Sequence, residues 1–348
     1  MVCSTGVFEK IGDSLGAYCQ WRRPDSLELN ASVMLALAHG SKGIMFWHFS
    51  PNSTATKTLA CGPDSVYLYF DGLVDDNLNP TDLYWYVNNS LSSRLSGKLG
   101  KTLLTLKYSG DYIDMLRNPG ASPLPDQIWR YFTLFNYGSD YYWHAGFLND
   151  NTFQENEFVM LANLWTDVSK TAKFKVENTT NYENLSARNI EGGAGELDTT
   201  IAKASYITVY DAFPPGEGKL YQFSPVIKYG GKLIYDETVA DGTTLTDDMI
   251  IENSATLTVN GNYYVIGNII IKNGNIVTTG NGKLHFQNNK KLIIKGMANI
   301  NGTPTQKLTL DFVSPNDANG IVVDSSGSLN ISYSVVKNAE TGIMAEVY

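Results

Sequence analysis

The sequence is poor in charge, poor in cysteine and free of long apolar runs. Only 18% of its 348 residues are charged, and 26 Lys and Arg against 35 Asp and Glu leave a net charge of -9. No run of Lys or Arg offsets that balance, which argues against a general nucleic-acid binder, since such a protein needs a basic footprint. No apolar stretch approaches the roughly 20 residues that a membrane helix requires. The N-terminus, MVCSTGVFEKIGDSLG, has neither a basic n-region nor a long apolar h-region, so it does not read as a signal peptide. Common catalytic signatures are also missing: there is no G-x-S-x-G, no H-E-x-x-H and no phosphate-binding loop. Cys3, Cys19 and Cys61 show no metal-ligand spacing. A Cys3–Cys19 or Cys19–Cys61 disulfide is open to them in an oxidising compartment, with one thiol left over. Isolated structural cysteines are the simpler reading. No cofactor or metal is expected.

What is present is β-prone and polar without being charged. Hydrophobic residues make up 43% of the chain, with 21 Tyr, 31 Gly and abundant Asn and Thr. That composition leans towards a globular, extracellular protein, and the length predicts two or three domains. Three textures follow one another. Residues 20–100 carry helical patterns. In PDSLELNASVMLALAHG, Asp25 can cap a helix, with Glu28 as the reciprocal partner of a capping box and Gly40 as the stop. GIMFWHF, 43–49, reads as a buried strand. A second helix is expected over about 81–97, capped by Thr81.

Residues 101–238 read as a β-sandwich. KTLLTLKYS, QIWRYFTLFNYG, YYWHAGFLN, NEFVMLANLW, AKFKVENT and SYITVYDAF are short strand-like runs broken by turn residues. Residues 239–348 change again. No Trp follows Trp165, and ATLTVNG, NIIIKNG, KLHFQNN, KLIIKGMANINGT, KLTLDF, GIVVDS and LNISYSVV alternate short apolar strands with Gly/Asn turns. That is the pattern of a parallel β-helix, in which each coil buries Ile, Leu and Val on its neighbours. Asn at the corners tolerates left-handed backbone and can stack on itself along the solenoid. A second sandwich built of hairpins is the other reading of this segment.

WRRPDSLELNASVMLALAHGSKGIMFWHFS resembles the last repeats of secreted glycosidase-type (β/α)8 barrels, where a helix opening on Arg-x-Pro and ending in Ala-His-Gly feeds the eighth strand. GLVDDNLNPTDLYWYVNNSL resembles the eighth helix of those proteins. FPPGEGKLYQFSPVIKYGGKLI resembles the closing strands of the sandwich that often follows, and 255–342 resembles the right-handed β-helix of large bacterial surface proteins. The resemblance implies a multidomain chain, α/β plus all-β: the partial end of a TIM barrel over 1–100, a sandwich over 101–238 and a parallel β-helix over 239–348. It also implies a fragment of a longer secreted protein, its natural start upstream of Met1 and its solenoid cut at the C-terminus.

Barrel glycosidases need two carboxyl groups at the ends of strands. The resemblance places the acid/base on strand four, which is absent here, and the nucleophile on strand seven, within VFEKIGDSLGAYCQW. Its acids, Glu9 and Asp13, do not end an apolar run and read as solvated loop charges. No catalytic residue is therefore assigned, and this chain is expected to be inactive even where its parent is a glycoside hydrolase. Trp47 and His48 end the eighth strand and are the candidate substrate-binding residues. An indole face packs on sugar C–H groups and an imidazole can donate to a hydroxyl; the alternative for Trp47 is core or rim filling. His39, at a helix C-terminus, reads as structural. Asp71, Asp75 and Asp76 could offer oxygen ligands to calcium, but fit no loop template, and a turn is the better reading for them and for Asp247–Asp248. Trp129, Trp143 and Trp165 read as core rather than as a sugar platform. The expected partner is a polysaccharide or glycan, with cell-surface attachment through a region beyond this chain. The competing function is a non-enzymatic surface or adhesive protein with the barrel as a degenerate scaffold.

Overall fold

The computed structural model describes residues 2–4, 7–11, 18–22, 24–47, 49, 59–61, 64–66, 72–116, 127–135, 142–150, 155–193, 195–312, 320–339 and 342–345. Its centre is a sandwich of two antiparallel sheets. One sheet has six strands in the order Asp198–Ala202, Asn184–Asn189, Gly218–Pro225, Glu157–Asn163, Tyr142–Asp150 and Leu106–Leu116. The other has four, in the order Tyr206–Phe213, Lys170–Glu177, Phe132–Leu134 and Gln127–Trp129. Strand alternation explains the core between them. Along Lys170–Glu177, Ala172, Phe174 and Val176 are fully buried while their neighbours face outward. Phe132, Phe147, Phe213, Tyr221 and Phe223 fill the same core from the other strands.

Among the described residues, the partial barrel expected over 1–100 is not seen. Helix Ser26–Ala38 lies on the outer face of the six-stranded antiparallel sheet, where Val33, Met34, Leu37 and Ala38 join Leu148, Phe158, Met160 and Leu220 in one cluster. Gly146 makes this approach possible, since a Cβ there would fall 1.7 Å from the carbonyl oxygen of Ala38. The expected eighth strand shortens to Met45–Trp47 and, among the described residues, pairs in parallel with Val2–Ser4 alone. The segment proposed for strand seven forms an antiparallel pair, Val7–Ile11 with Tyr18–Arg22, whereas a barrel needs parallel neighbours. An apolar helix followed by an apolar strand has the same pattern whichever sheet covers it. The buried face of the helix was legible and its covering partner was not, and the strand expected to be buried leaves Met45 60% and Phe49 59% exposed.

The local signals around that helix hold. Asp25 accepts from the N–H groups of Leu27 and Glu28, both at 2.8 Å, and Glu28 accepts from the Asp25 N–H at 2.9 Å. Asp25→Ala leaves these donors to water and is expected to destabilise the fold by about 1 kcal/mol; unfolding in urea checks it, and an unchanged midpoint would refute the capping role. Thr81 caps Asp82–Tyr86, as its sequence suggests, but the helix then passes through a π turn, Val87–Leu91, and ends at Ser92–Ser96. A further helix, Lys98–Thr105, occupies the first half of the KTLLTLKYS run, and the first sandwich strand starts at Leu106.

Beyond the sandwich the chain winds into a parallel β-solenoid of about four turns. Each coil contributes to three ladders. The third ladder shows the repeat: Thr243–Leu245, Asn262–Val265, Lys283–Phe286, Leu308–Phe312 and Ser334–Lys337, each parallel to the next. Inside, residues of one type stack on their like. Ile269, Leu292 and Ile321 form one column and Leu257, Ile276 and Ile300 another, and the rings of Phe286 and Phe312 stack at 4.6 Å. Asn253, Asn289 and Asn338 take positive φ, as expected of corner asparagines. The hairpin alternative fails because every ladder in this region is parallel. The first coil opens at Gly231–Leu233, upstream of the compositional change at 239.

Candidate functional site

The joint between sandwich and solenoid holds a dense polar assembly. Gly230 and Gly231 both have positive φ, and a Cβ on Gly230 would meet the Asp248 carbonyl oxygen at 2.5 Å. The turn therefore needs glycine. Just before it, the short helix Val226–Tyr229 places Val226 and Ile227 under the first coil, in the solenoid core. The buried Tyr263 hydroxyl donates to the Ile227 carbonyl at 2.5 Å. The sandwich thus supplies the cap that the open end of a solenoid requires.

Asn184, fully buried on the sandwich, ties down the first corner of the solenoid. Its Oδ1 accepts from the N–H groups of Ile234 at 3.1 Å and Tyr235 at 3.0 Å, and its Nδ2 donates to the Tyr235 carbonyl at 2.9 Å and to Glu237 Oε2 at 2.8 Å. Glu237 in turn accepts from the N–H groups of Glu183 and Asn184. Burial raises the proton affinity of this carboxyl, while the hydrogen bonds from Asn184 and the backbone oppose the shift. Glu237 lines a groove of about 420 Å³ with Tyr182, Asp236, Thr238, Thr256 and Thr258. Thr256 at this groove begins a row along paired strands, Thr256, Asn275, Asn299 and Asn330, in which Asn299 donates to Asn275 at 2.9 Å and Asn330 donates to Asn299 at 3.4 Å. Acid–amide steps run along other corners, from Asn262 to Asp241 and from Asn268 to Asp248.

A second charged assembly binds the helical segment to the sandwich. Arg94 donates to Glu191 at 2.7 Å and pairs with Glu217, and Lys219 donates to Asp211 at 2.7 Å and Glu196 at 3.1 Å. Apart from Asp211, these groups line a cleft of about 490 Å³. All four carboxylates are held by cations, an arrangement that fixes the helical segment on the sandwich. Glu157, on the central sheet, is the carboxyl whose pKa is pushed up to about 7 by burial, against the opposing pull of Arg130 at 2.8 Å. Its side chain is 0% exposed, so it faces no substrate.

The other sequence-derived positions distribute as follows. His48 and Asp13 lie outside the described residues, as does Asp71; of Trp47 and Glu9 the backbone is described, on short strands. Trp143 is buried edge-on to Phe213 at 5.1 Å, and Trp129 stacks on Phe147 at 3.9 Å, so both serve the sandwich core. Trp165 packs edge-on to Tyr142 at 4.4 Å. Asp75 accepts from Asn77 and Asn79 within its own turn, which holds its carboxyl below the usual range. Asp247 pairs with Arg188 and Asp248 with Asn268. His39 ends its helix against Tyr108 and Tyr112 and lies 4.6 Å from His144, centroid to centroid. Burial, reinforced by His39, holds His144 below its usual pKa, while Asp114 at 3.7 Å pulls the other way. Together these rings form an aromatic stack suited to packing. Among the described residues, no group of three His, Cys, Asp or Glu side chains is arranged to hold a metal ion, and no helix is long and apolar enough to cross a membrane.

Sequence reasoning missed Asn184, Glu157 and the Arg94 cluster. Each partner lies far away in the chain, and nothing in a local pattern marks a buried amide as a joint. Comparison with known proteins finds no matching family model, no matching curated protein and no matching solved structure.

Proposed function

We propose that this chain is a non-catalytic scaffold of an extracellular, carbohydrate-associated protein, with the sandwich as base and the solenoid as a rigid arm. The sandwich–solenoid joint carries the reading: the two units share a core and a saturated hydrogen-bond network, so the arm projects in one fixed direction. Polar, weakly charged faces of Asn, Thr and Ser along that arm suit contact with the hydroxyls of a glycan. Carboxylates already engaged by cations or sealed in the core do not suit hydrolysis.

The test is one experiment with two readouts. The full chain is incubated with a panel of neutral and acidic polysaccharides, and both retention of protein and release of reducing ends are measured. Retention on at least one glycan with no release above the blank is the expected result. Sustained release would make the chain an enzyme, and retention on none would remove the carbohydrate association.

A further inference from the structure

The strand Tyr206–Phe213 forms one edge of the four-stranded sheet, and no described segment pairs with its outer side. Its neighbour, Lys170–Glu177, fixes which backbone groups look outward. The Lys173 carbonyl accepts from the Phe135 N–H and the Glu177 N–H donates to the Tyr131 carbonyl, so the odd-numbered residues of that neighbour bond away from the edge. Its even-numbered residues therefore bond to Ile207, Val209, Asp211 and Phe213, and the Asn178 N–H keeps the same phase by donating to the Ser205 carbonyl. The N–H and C=O groups of Tyr206, Thr208, Tyr210 and Ala212 are left pointing to the open edge. The side chains of these four residues are exposed on the outer face, while Ile207 and Val209 turn inward against the sandwich core.

The strand lacks the devices that usually block such an edge. It is eight residues long, contains no Lys or Pro, and runs along its neighbour without a bulge. Its one charge, Asp211, turns inward, where the Lys219 ammonium at 2.7 Å and the Tyr221 hydroxyl at 2.6 Å hold it. Its first five residues are a palindrome by residue type. Tyr206, Ile207, Thr208, Val209 and Tyr210 read aromatic, β-branched, Thr, β-branched, aromatic in either direction.

We propose that this edge pairs with the same edge of a second copy of the chain, antiparallel and two-fold about Thr208. The palindrome selects a second copy over an unrelated strand. The two-fold sets Thr208 opposite the partner's Thr208, Tyr206 opposite the partner's Tyr210, and Ile207 opposite the partner's Val209. Each is a kind of cross-strand pair that stabilises a sheet: Thr with Thr, aromatic with aromatic, β-branched with β-branched. The backbone agrees with that register. The residues whose N–H and C=O groups look outward, Tyr206, Thr208 and Tyr210, are the ones that it brings into hydrogen-bonded pairs. Two four-stranded sheets then become one of eight strands, and the two-fold closes the assembly at a dimer. The interface is independent of the carbohydrate-associated reading.

Sedimentation velocity of the full chain from about 1 μM to about 1 mM tests it. The expected result is a reversible monomer–dimer equilibrium with nothing larger. Thr208→Glu sets two carboxylates against each other on the two-fold and should weaken the dimer by about tenfold or more, and Thr208→Lys should do the same with two ammonium groups. An equimolar mixture of the two variants should restore association to within about threefold of the wild type, because position 208 meets only itself in this register. Both substitutions are at an exposed position, and the circular dichroism of each variant should match the wild type. A monomer at every wild-type concentration would overturn the proposal. A dimer that neither variant weakens would overturn this edge as its interface. Two monomeric variants that stay apart when mixed would overturn the two-fold register about Thr208. Growth beyond the dimer with concentration would overturn the closed pairing.

Discussion

Asn184→Ala is expected to uncouple the solenoid from the sandwich, at a cost of about 4 kcal/mol. The size follows from what the side chain satisfies. Its removal strands the N–H groups of Ile234 and Tyr235 and the Tyr235 carbonyl and leaves Glu237 Oε2 with the Asn184 backbone N–H as its donor, all at a joint where Asn184 itself is fully buried. Each buried polar group without a partner costs about 1–3 kcal/mol, partly relieved where water enters the new space. Asn184→Asp separates shape from chemistry. It keeps the two accepted bonds but cannot donate, and it sets a second carboxylate against Glu237, so it should be destabilised as well. Urea unfolding followed by far-ultraviolet dichroism reads the loss, and limited proteolysis reads its location. Cleavage within 230–236 should appear in both variants before cleavage in the sandwich. A single transition at the wild-type midpoint, with no new cleavage, would show that the joint does not depend on this amide.

That residue also shows where sequence reading stops. The solenoid was legible because its core repeats: Ile, Leu and Val recur between Gly and Asn turns, and corner asparagines such as Asn253 and Asn289 take the backbone conformation their chemistry allows. Caps at Asp25 and Thr81 were legible because they involve neighbours three residues apart. The covering of helix Ser26–Ala38 was not. Its partners, Leu148, Phe158, Met160 and Leu220, are supplied by three sandwich strands far along the chain, and any apolar sheet would satisfy the helix equally. The same limit hid the polar assemblies. Arg94 is an ordinary helical arginine until Glu191 and Glu217 arrive from the sandwich. Tyr206 and Tyr210 alternate outward as the strand pattern requires, but their lysine neighbours depend on the register with Lys170–Glu177. Of the candidate sugar-binding pair, the backbone of Trp47 is described and His48 is outside the described residues.

Glu157→Gln is expected to stabilise the protein above neutral pH by about 3 kcal/mol and to flatten its pH dependence. Glu157 lies in the central sheet opposite Asn149, accepts from Arg130 at 2.8 Å, and has one oxygen, Oε2, with no hydrogen-bond partner. Burial raises its pKa from 4.5 to about 7, more than Arg130 lowers it. The folded state therefore holds a proton that the unfolded state has released between those two values. Stability from this group is fully present below pH 4.5, falls as the pH rises through about 7, and is then lost. The shift sets the scale at about 3 kcal/mol. Glutamine keeps an acceptor for Arg130 and has nothing to ionise. Its amide can also donate towards Asn149 Oδ1, which is buried without a partner beside it. Losing the ion pair counts for little, because the Arg130 side chain is 46% exposed and such pairs contribute about 1 kcal/mol or less. Urea midpoints at pH 5, 6, 7 and 8 check the expectation: the wild type should decline across the series and the variant should not, the two meeting near pH 5. Arg130→Met should extend the decline to higher pH, since it removes the cation that holds the pKa down. Parallel wild-type and variant curves would mean that Glu157 stays ionised in the fold, with its charge solvated or paired in a way that a buried, half-satisfied carboxyl does not allow.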